Sequence, residues 1–118
     1  MRFLHTRLKV RDLDASIRFY ETNFGATVRA RHTSGRGSLL AHLTLPGTNA
    51  ELELAHLPWE PLFKLDEDIL HIAFEVDDMA ATLADLKANG ANVTDEDPAM
   101  SWVADPDGYE IELLAAER

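Results

Sequence analysis

Two histidines and two glutamate pairs recur at matching points of this sequence, and their types suit a divalent metal. His5 follows Leu4 and His71 follows Leu70, while Glu51-Leu52-Glu53-Leu54 is echoed by Glu110-Ile111-Glu112-Leu113. Neutral imidazole with carboxylate suits zinc, nickel, cobalt, iron or manganese. The chain has no cysteine, which removes thiolate metal sites, disulfide scaffolds and cysteine nucleophiles. Two carboxylates neutralise a divalent cation, and an octahedral site so built keeps positions open for water or a chelating substrate. Such an ion polarises a carbonyl and stabilises a developing enediolate. A glutamate able to leave the ion is then a base for the proton alpha to that carbonyl. Both members of each glutamate pair share one strand face, so spacing leaves Glu51 or Glu53, and Glu110 or Glu112, open.

The elements that must position these groups are duplicated. With Leu4-His5 set over Leu70-His71, Val10 falls on Val76, Asp12 on Asp78, Leu13 on Met79, Ala15 on Ala81 and Asn23 on Asn89. After a one-residue deletion, Gly25-Ala26 matches Gly90-Ala91 and Val28 matches Val93. Such a shared register marks two copies of one supersecondary unit. Each copy opens on an alternating strand, with Leu4, Thr6, Leu8 and Val10 on one face and His5, Arg7 and Lys9 on the other. A helix follows, capped by Asp12 in one copy and Asp78 in the other. Its apolar stripe is Leu13, Ile17, Tyr20 and Phe24, or Met79, Leu83 and Leu86. Gly25 and Gly90 stand where a left-handed residue ends a helix. Returning strands are predicted near 26–32, 38–45 and 50–56, then near 92–95, 100–104 and 109–114. Pro46-Gly47-Thr48-Asn49 and Asp105-Pro106-Asp107-Gly108 supply the turns before the last strands.

The expected fold class is therefore α+β, with two βαβββ modules forming curved mixed sheets and helices outside. Residues 1–118 read as a single domain with an internal repeat of modules at about 1–60 and 66–118. Its 118 residues suit one compact core, and no apolar run approaches the ~20 residues of a membrane span. The opening residues lack a signal-like apolar region, so the expectation is a cytoplasmic protein without a membrane partner. Eleven basic against 21 acidic residues give a net charge of −10. Nucleic-acid binding needs a basic stripe, and none is present.

His32, His42 and His56 lack repeat partners and read as surface or structural residues. Trp59 and Phe63, in the stretch joining the copies, are candidates to wall a pocket; Trp102 reads as packing. The serines lack a nucleophile-elbow context. Ser34-Gly35-Arg36-Gly37-Ser38 lacks the Gly-Lys-Ser/Thr ending of a phosphate loop and reads as a hairpin turn.

Across nearly its full length the sequence resembles the glyoxalase I family of the vicinal oxygen chelate superfamily. The likeness rests on the run from Met1-Arg2-Phe3-Leu4-His5-Thr6 to Phe19-Tyr20, on Leu52-Glu53-Leu54, on Gly90-Ala91-Asn92-Val93-Thr94 and on Asp105-Pro106-Asp107-Gly108-Tyr109-Glu110-Ile111-Glu112-Leu113. The resemblance implies a metal-dependent lyase or isomerase that acts through a metal-stabilised enediolate on a thiol hemithioacetal. It implies a homodimer, a small-molecule substrate, and metal ligands His5, Glu53, His71 and Glu112. Glu112 is then the proton-moving base, assisted by Glu53, and the histidine at position 5 places nickel or cobalt ahead of zinc. Arg7, Lys9 and Trp59 are the candidate substrate contacts. Glutathione or another thiol is the implied cosubstrate, but the family's glutathione-binding arginine is Lys9 here. Its asparagine after the second ligand is Leu57, and its basic loop is the acidic Asp95-Glu96-Asp97-Pro98-Ala99. The alternatives are a metal-independent binding protein of the bleomycin-resistance type, an extradiol dioxygenase and an epimerase.

Overall fold

The structure is a computed structural model that describes residues 1–117. The chain divides into two compact units, Met1–Lys64 and Leu65–Arg118. Among the described residues, each holds one helix and one four-stranded sheet. The first runs β1 (His5–Lys9), α1 (Leu13–Phe24), β2 (Thr27–Thr33), β3 (Leu39–Thr44) and β4 (Glu51–His56). The second repeats the order as β5 (His71–Val76), α2 (Met79–Ala88), β6 (Asn92–Asp95), β7 (Met100–Ala104) and β8 (Glu110–Ala115). Strand order is β1-β4-β3-β2 in one sheet and β5-β8-β7-β6 in the other. β1 lies parallel to β4 and β5 parallel to β8, while the remaining pairs are antiparallel. Both sheets are mixed, and the fold is α+β.

Local chemistry sets the helix limits. The Asp12 carboxylate accepts a hydrogen bond from the Ala15 amide at 3.0 Å, and Asp78 does the same for Ala81 at 3.0 Å. Each satisfies an amide that the helix itself leaves without a partner. α1 stops at Gly25, whose φ of 67° is left-handed. A β-carbon there would lie 3.2 Å from the Pro46 ring, so backbone and packing both favour glycine. α2 ends on Asn89, followed by Gly90 at φ 79°.

The apolar stripe of α1 (Leu13, Ile17 and Tyr20) is buried, and the helix packs on β3 and β4. Leu8, Ala41, Leu43, Leu52 and Leu54 fill the matching sheet face. Phe24 is half-buried, its ring 6.0 Å from that of Tyr20. In the second unit Met79, Leu83 and Leu86 are buried on α2, which packs on β6 and β8, and Val103, Ile111 and Leu113 are buried on the sheet. With both aliphatic faces turned to the helices, the period-two alternation of the strands sends His5, Glu53, His71 and Glu112 to the opposite faces.

Two local devices fix the strands that carry the glutamates. Asp105, buried, accepts from the amides of Asp107 at 2.9 Å and Tyr109 at 3.0 Å, which pins the turn into β8. The Thr48 hydroxyl accepts from the Ala50 amide at 3.0 Å before β4. Ser34-Gly35-Arg36-Gly37-Ser38 closes the β2–β3 hairpin, with the Ser34 amide donating to the Ser38 carbonyl at 2.9 Å.

Candidate metal centre

The pairing register brings three donors together on the face of the first sheet away from α1. Glu53 of β4 lies opposite Arg7 of β1 on one side and His42 of β3 on the other. His5 Nε2 is 3.5 Å from Glu53 Oε2, and His42 Nε2 is 3.5 Å from the same oxygen. The other oxygen of Glu53 accepts a charge-assisted hydrogen bond from Arg7 Nε. One oxygen is thus held by the guanidinium, and the other is presented to two imidazoles.

Glu53 is only 4% exposed. The His5 ring meets His42 edge-on at 5.7 Å, and His32 stacks on His42 at 5.2 Å. His42 Nδ1 is buried without a hydrogen-bond partner among the described residues and lies 3.8 Å from Glu51 Oε1. Glu51 is gripped by Arg29, whose Nη2 donates to it at 2.9 Å. Hydrogen bonding from that guanidinium lowers the Glu51 pKa below its ordinary value, and the Arg29 pKa is raised in turn.

The donor set fits a metal. Ligand atoms about 2.1 Å from a first-row divalent ion lie roughly 3–3.5 Å apart when adjacent. Suitable atoms of His5, His42 and Glu53 all lie within 4.8 Å of one another, and each imidazole Nε2 is 3.5 Å from the Glu53 oxygen. Imidazole nitrogen and carboxylate oxygen are the donors such ions prefer.

The second sheet repeats one pair without its surroundings. His71 Nε2 is 4.0 Å from Glu112 Oε1. Opposite Glu112 stand Ala73, where the first unit has Arg7, and Trp102, where it has His42. The Trp102 ring meets His71 edge-on at 5.1 Å. The Glu112 side chain is 18% exposed, against 6% for Glu53.

The expected substrate contacts have partners of their own. Lys9 donates to Glu60 at 2.7 Å and lies 5.1 Å from the centre of the Phe63 ring. The hydrogen bond from Lys9 lowers the Glu60 pKa below its ordinary value. Arg11 sits over the same ring and donates to the Phe63 carbonyl. Trp59 is half-exposed, with the Arg36 guanidinium 6.0 Å from its ring centre.

His42 departs from the sequence expectation. For want of a repeat partner it reads as a surface or structural residue; it is not on the surface, being 9% exposed, and it faces Glu53 beside His5. Its partner position exists but holds Trp102, so a search for repeated residue types passes over it. The missed signal lay in the hairpin arithmetic. Antiparallel strands joined across Pro46–Asn49 that pair Thr44 with Glu51 must also pair His42 with Glu53. His56 is structural as expected, its Nδ1 lying 3.1 Å from the Val10 carbonyl, and His32 is exposed.

Known proteins share this arrangement of strands and helices. Residues 2–113 match the Glyoxalase/Bleomycin resistance protein/Dioxygenase superfamily, and the chain belongs to that family. It is 36% identical to the lactoylglutathione lyase of Haemophilus influenzae, over 97% of this chain and 92% of that protein. The structure is similar to the trypanothione-dependent glyoxalase I of Leishmania major, with TM-score 0.88 and 36% identity over 98% of this chain and 86% of that one. Maize glyoxalase I gives TM-score 0.87 at 25% identity, over 99% of this chain and 45% of that one. These likenesses place the chain among the glyoxalase-type enzymes of the family. No helix of the described residues is long and apolar enough to cross a membrane.

Proposed function

We propose that this chain is a metal-dependent lyase or isomerase of the glyoxalase type, with His5, Glu53, His71 and Glu112 as ligands of a divalent ion, nickel or cobalt ahead of zinc. The observation that carries the reading is the recurrence of one pair at one register. In a chain of this family, each sheet sets a histidine Nε2 at 3.5 or 4.0 Å from a glutamate oxygen. The bound ion supplies Lewis-acid polarisation of a substrate carbonyl.

Proton movement falls to the carboxylates. Glu112 takes the proton from the carbon next to the carbonyl and returns it to the neighbouring carbon, so the net change is an isomerisation with no proton gained or lost. Its freedom to do so follows from its surroundings, because Ala73 offers no counterpart to the guanidinium that grips Glu53. Glu53 assists as the second carboxylate. Arg7, Lys9 and Trp59 orient the substrate.

That substrate is a small thiol hemithioacetal, and the thiol need not be glutathione. Lys9 is engaged by Glu60, Leu57 carries no hydrogen-bonding side chain, and the segment 95–97 is acidic. The functional assembly is a homodimer.

The test is turnover of metal-stripped protein reloaded with Ni²⁺ or Zn²⁺, assayed on methylglyoxal hemithioacetals of several thiols. Metal-dependent thioester formation is expected. Losing a general base costs typically ~10²–10⁴-fold, so Glu112→Gln should lower turnover by that order. Full turnover by a Glu112→Ala variant that still binds metal would remove the role given to this residue.

A further inference from the structure

We infer that His42 is itself a metal ligand, which makes the first module a three-donor site of two imidazoles and one carboxylate. The inference deepens the function proposed above and shares its His5 and Glu53 ligands. Four observations point to it. His42 Nε2 and His5 Nε2 stand at the same distance, 3.5 Å, from one oxygen of Glu53. The second oxygen is occupied by Arg7, so the first is the one left to share a cation with the two rings.

The His42 side chain is buried, and its Nδ1 lacks a hydrogen-bond partner among the described residues. A buried ring nitrogen without a hydrogen-bond partner is costly, so its presence here calls for an explanation. Nδ1 also faces Glu51 at 3.8 Å. A ligating histidine commonly directs its second nitrogen at a carboxylate, which fixes the tautomer and raises its basicity as a donor. Arg29 Nη2, donating to Glu51 Oε1 at 2.9 Å, holds that carboxylate beside the ring.

Two histidines and one carboxylate make a self-sufficient donor set for a first-row ion with positions left open. The second module cannot offer the same, because Trp102 stands where His42 does and has no donor atom for a metal. Donor counting also gives His42 a use in the proposed reaction. With three ligands in the first module, Glu112 is not needed to retain the ion and is released for proton transfer.

The experiment uses metal-stripped full-length protein titrated with Co²⁺, followed by proton NMR of the loaded protein in water. An imidazole bound through Nε2 keeps an exchangeable Nδ1–H that the paramagnetic ion shifts far downfield. Wild type should show one such signal each from His5, His42 and His71, and His42→Phe should remove one. Loss of an outer-shell partner typically costs metal affinity ~10–100-fold, and His42→Phe, which removes a direct ligand, should weaken Co²⁺ binding by at least that order. The His71→Ala/Glu112→Ala variant should still bind Co²⁺, and adding His42→Phe should abolish that binding. His42→Gln, which keeps a polar side chain in the buried position, guards against misfolding and should lose the same signal.

Unchanged affinity and an unchanged set of shifted signals in both His42 variants would overturn the inference while leaving the lyase reading intact. Complete loss of Co²⁺ from His71→Ala/Glu112→Ala would overturn the three-donor site. The expected signals in a protein without lyase turnover would sustain the inference and sink the proposed function.

Discussion

The two modules share one backbone plan and one histidine–glutamate pair, yet they surround that pair differently. In the first, Arg7, His42 and His5 converge on a buried Glu53. In the second, the positions of Arg7 and His42 hold Ala73 and Trp102, and Glu112 faces His71 at 4.0 Å. Duplication preserves what the fold requires: caps, aliphatic faces and strand order. Residues facing away from the helices are free to diverge. Arg7 holds Glu53 while Ala73 leaves Glu112 without a guanidinium, and the proposed function assigns the first to metal binding and the second to proton transfer on that difference.

The largest effect should come from treating the two carboxylates alike. Glu112→Gln is expected to cut turnover by ~10²–10⁴-fold with metal retained, whereas Glu53→Gln should chiefly weaken metal binding. Turnover and calorimetric titration on both variants check the split, and equal loss of metal in the two would erase the distinction.

The aliphatic faces should show no such asymmetry. Leu54 and Leu113 are both fully buried. Each change to alanine should cost about 2–5 kcal/mol in urea unfolding.

A transplant sharpens the contrast. Ala73→Arg places a guanidinium opposite Glu112, and one charge-assisted hydrogen bond of roughly 1.5 kcal/mol would slow turnover about tenfold. Metal affinity should stay within a few-fold, so turnover with an unchanged rate would show that the guanidinium does not restrain Glu112.

The helix caps should again behave as equals, with Asp12→Ala and Asp78→Ala each costing about 1 kcal/mol in the same unfolding measurement. The smallest effect concerns Glu51, the polar neighbour of His42. Its pKa is lowered by Arg29, so the pair's contribution is present above the ordinary glutamate value of 4.5 and is lost as pH falls through the depressed value. Arg29→Gln should move the Glu51 midpoint upward in a carboxyl carbon NMR titration, and an unmoved midpoint would show that another group depresses it.

Much of the fold was legible because it rests on short-range rules. Asp12, Asp78, Gly25 and Gly90 mark helix ends by chemistry that acts within one turn. Strand alternation placed Leu8, Leu52 and Leu54 on one face and His5 and Glu53 on the other. Legibility ended where neighbouring strands meet. Alternation gives Glu51 and Glu53 the same face, but only the packed sheet shows Arg29 taking the first while Arg7 and two histidines take the second.

The partners of Lys9 were equally hidden. Glu60 lies in an irregular segment whose path follows no period. A sequence repeat finds what two copies share, and His42 belongs to what they do not.

By itself, then, the sequence determined the duplicated βαβββ order, the aliphatic faces and the histidine–glutamate pairs, because periodicity and capping are properties of contiguous residues. The tertiary structure alone decided which donors surround each pair, because cross-strand register joins residues that no local pattern connects.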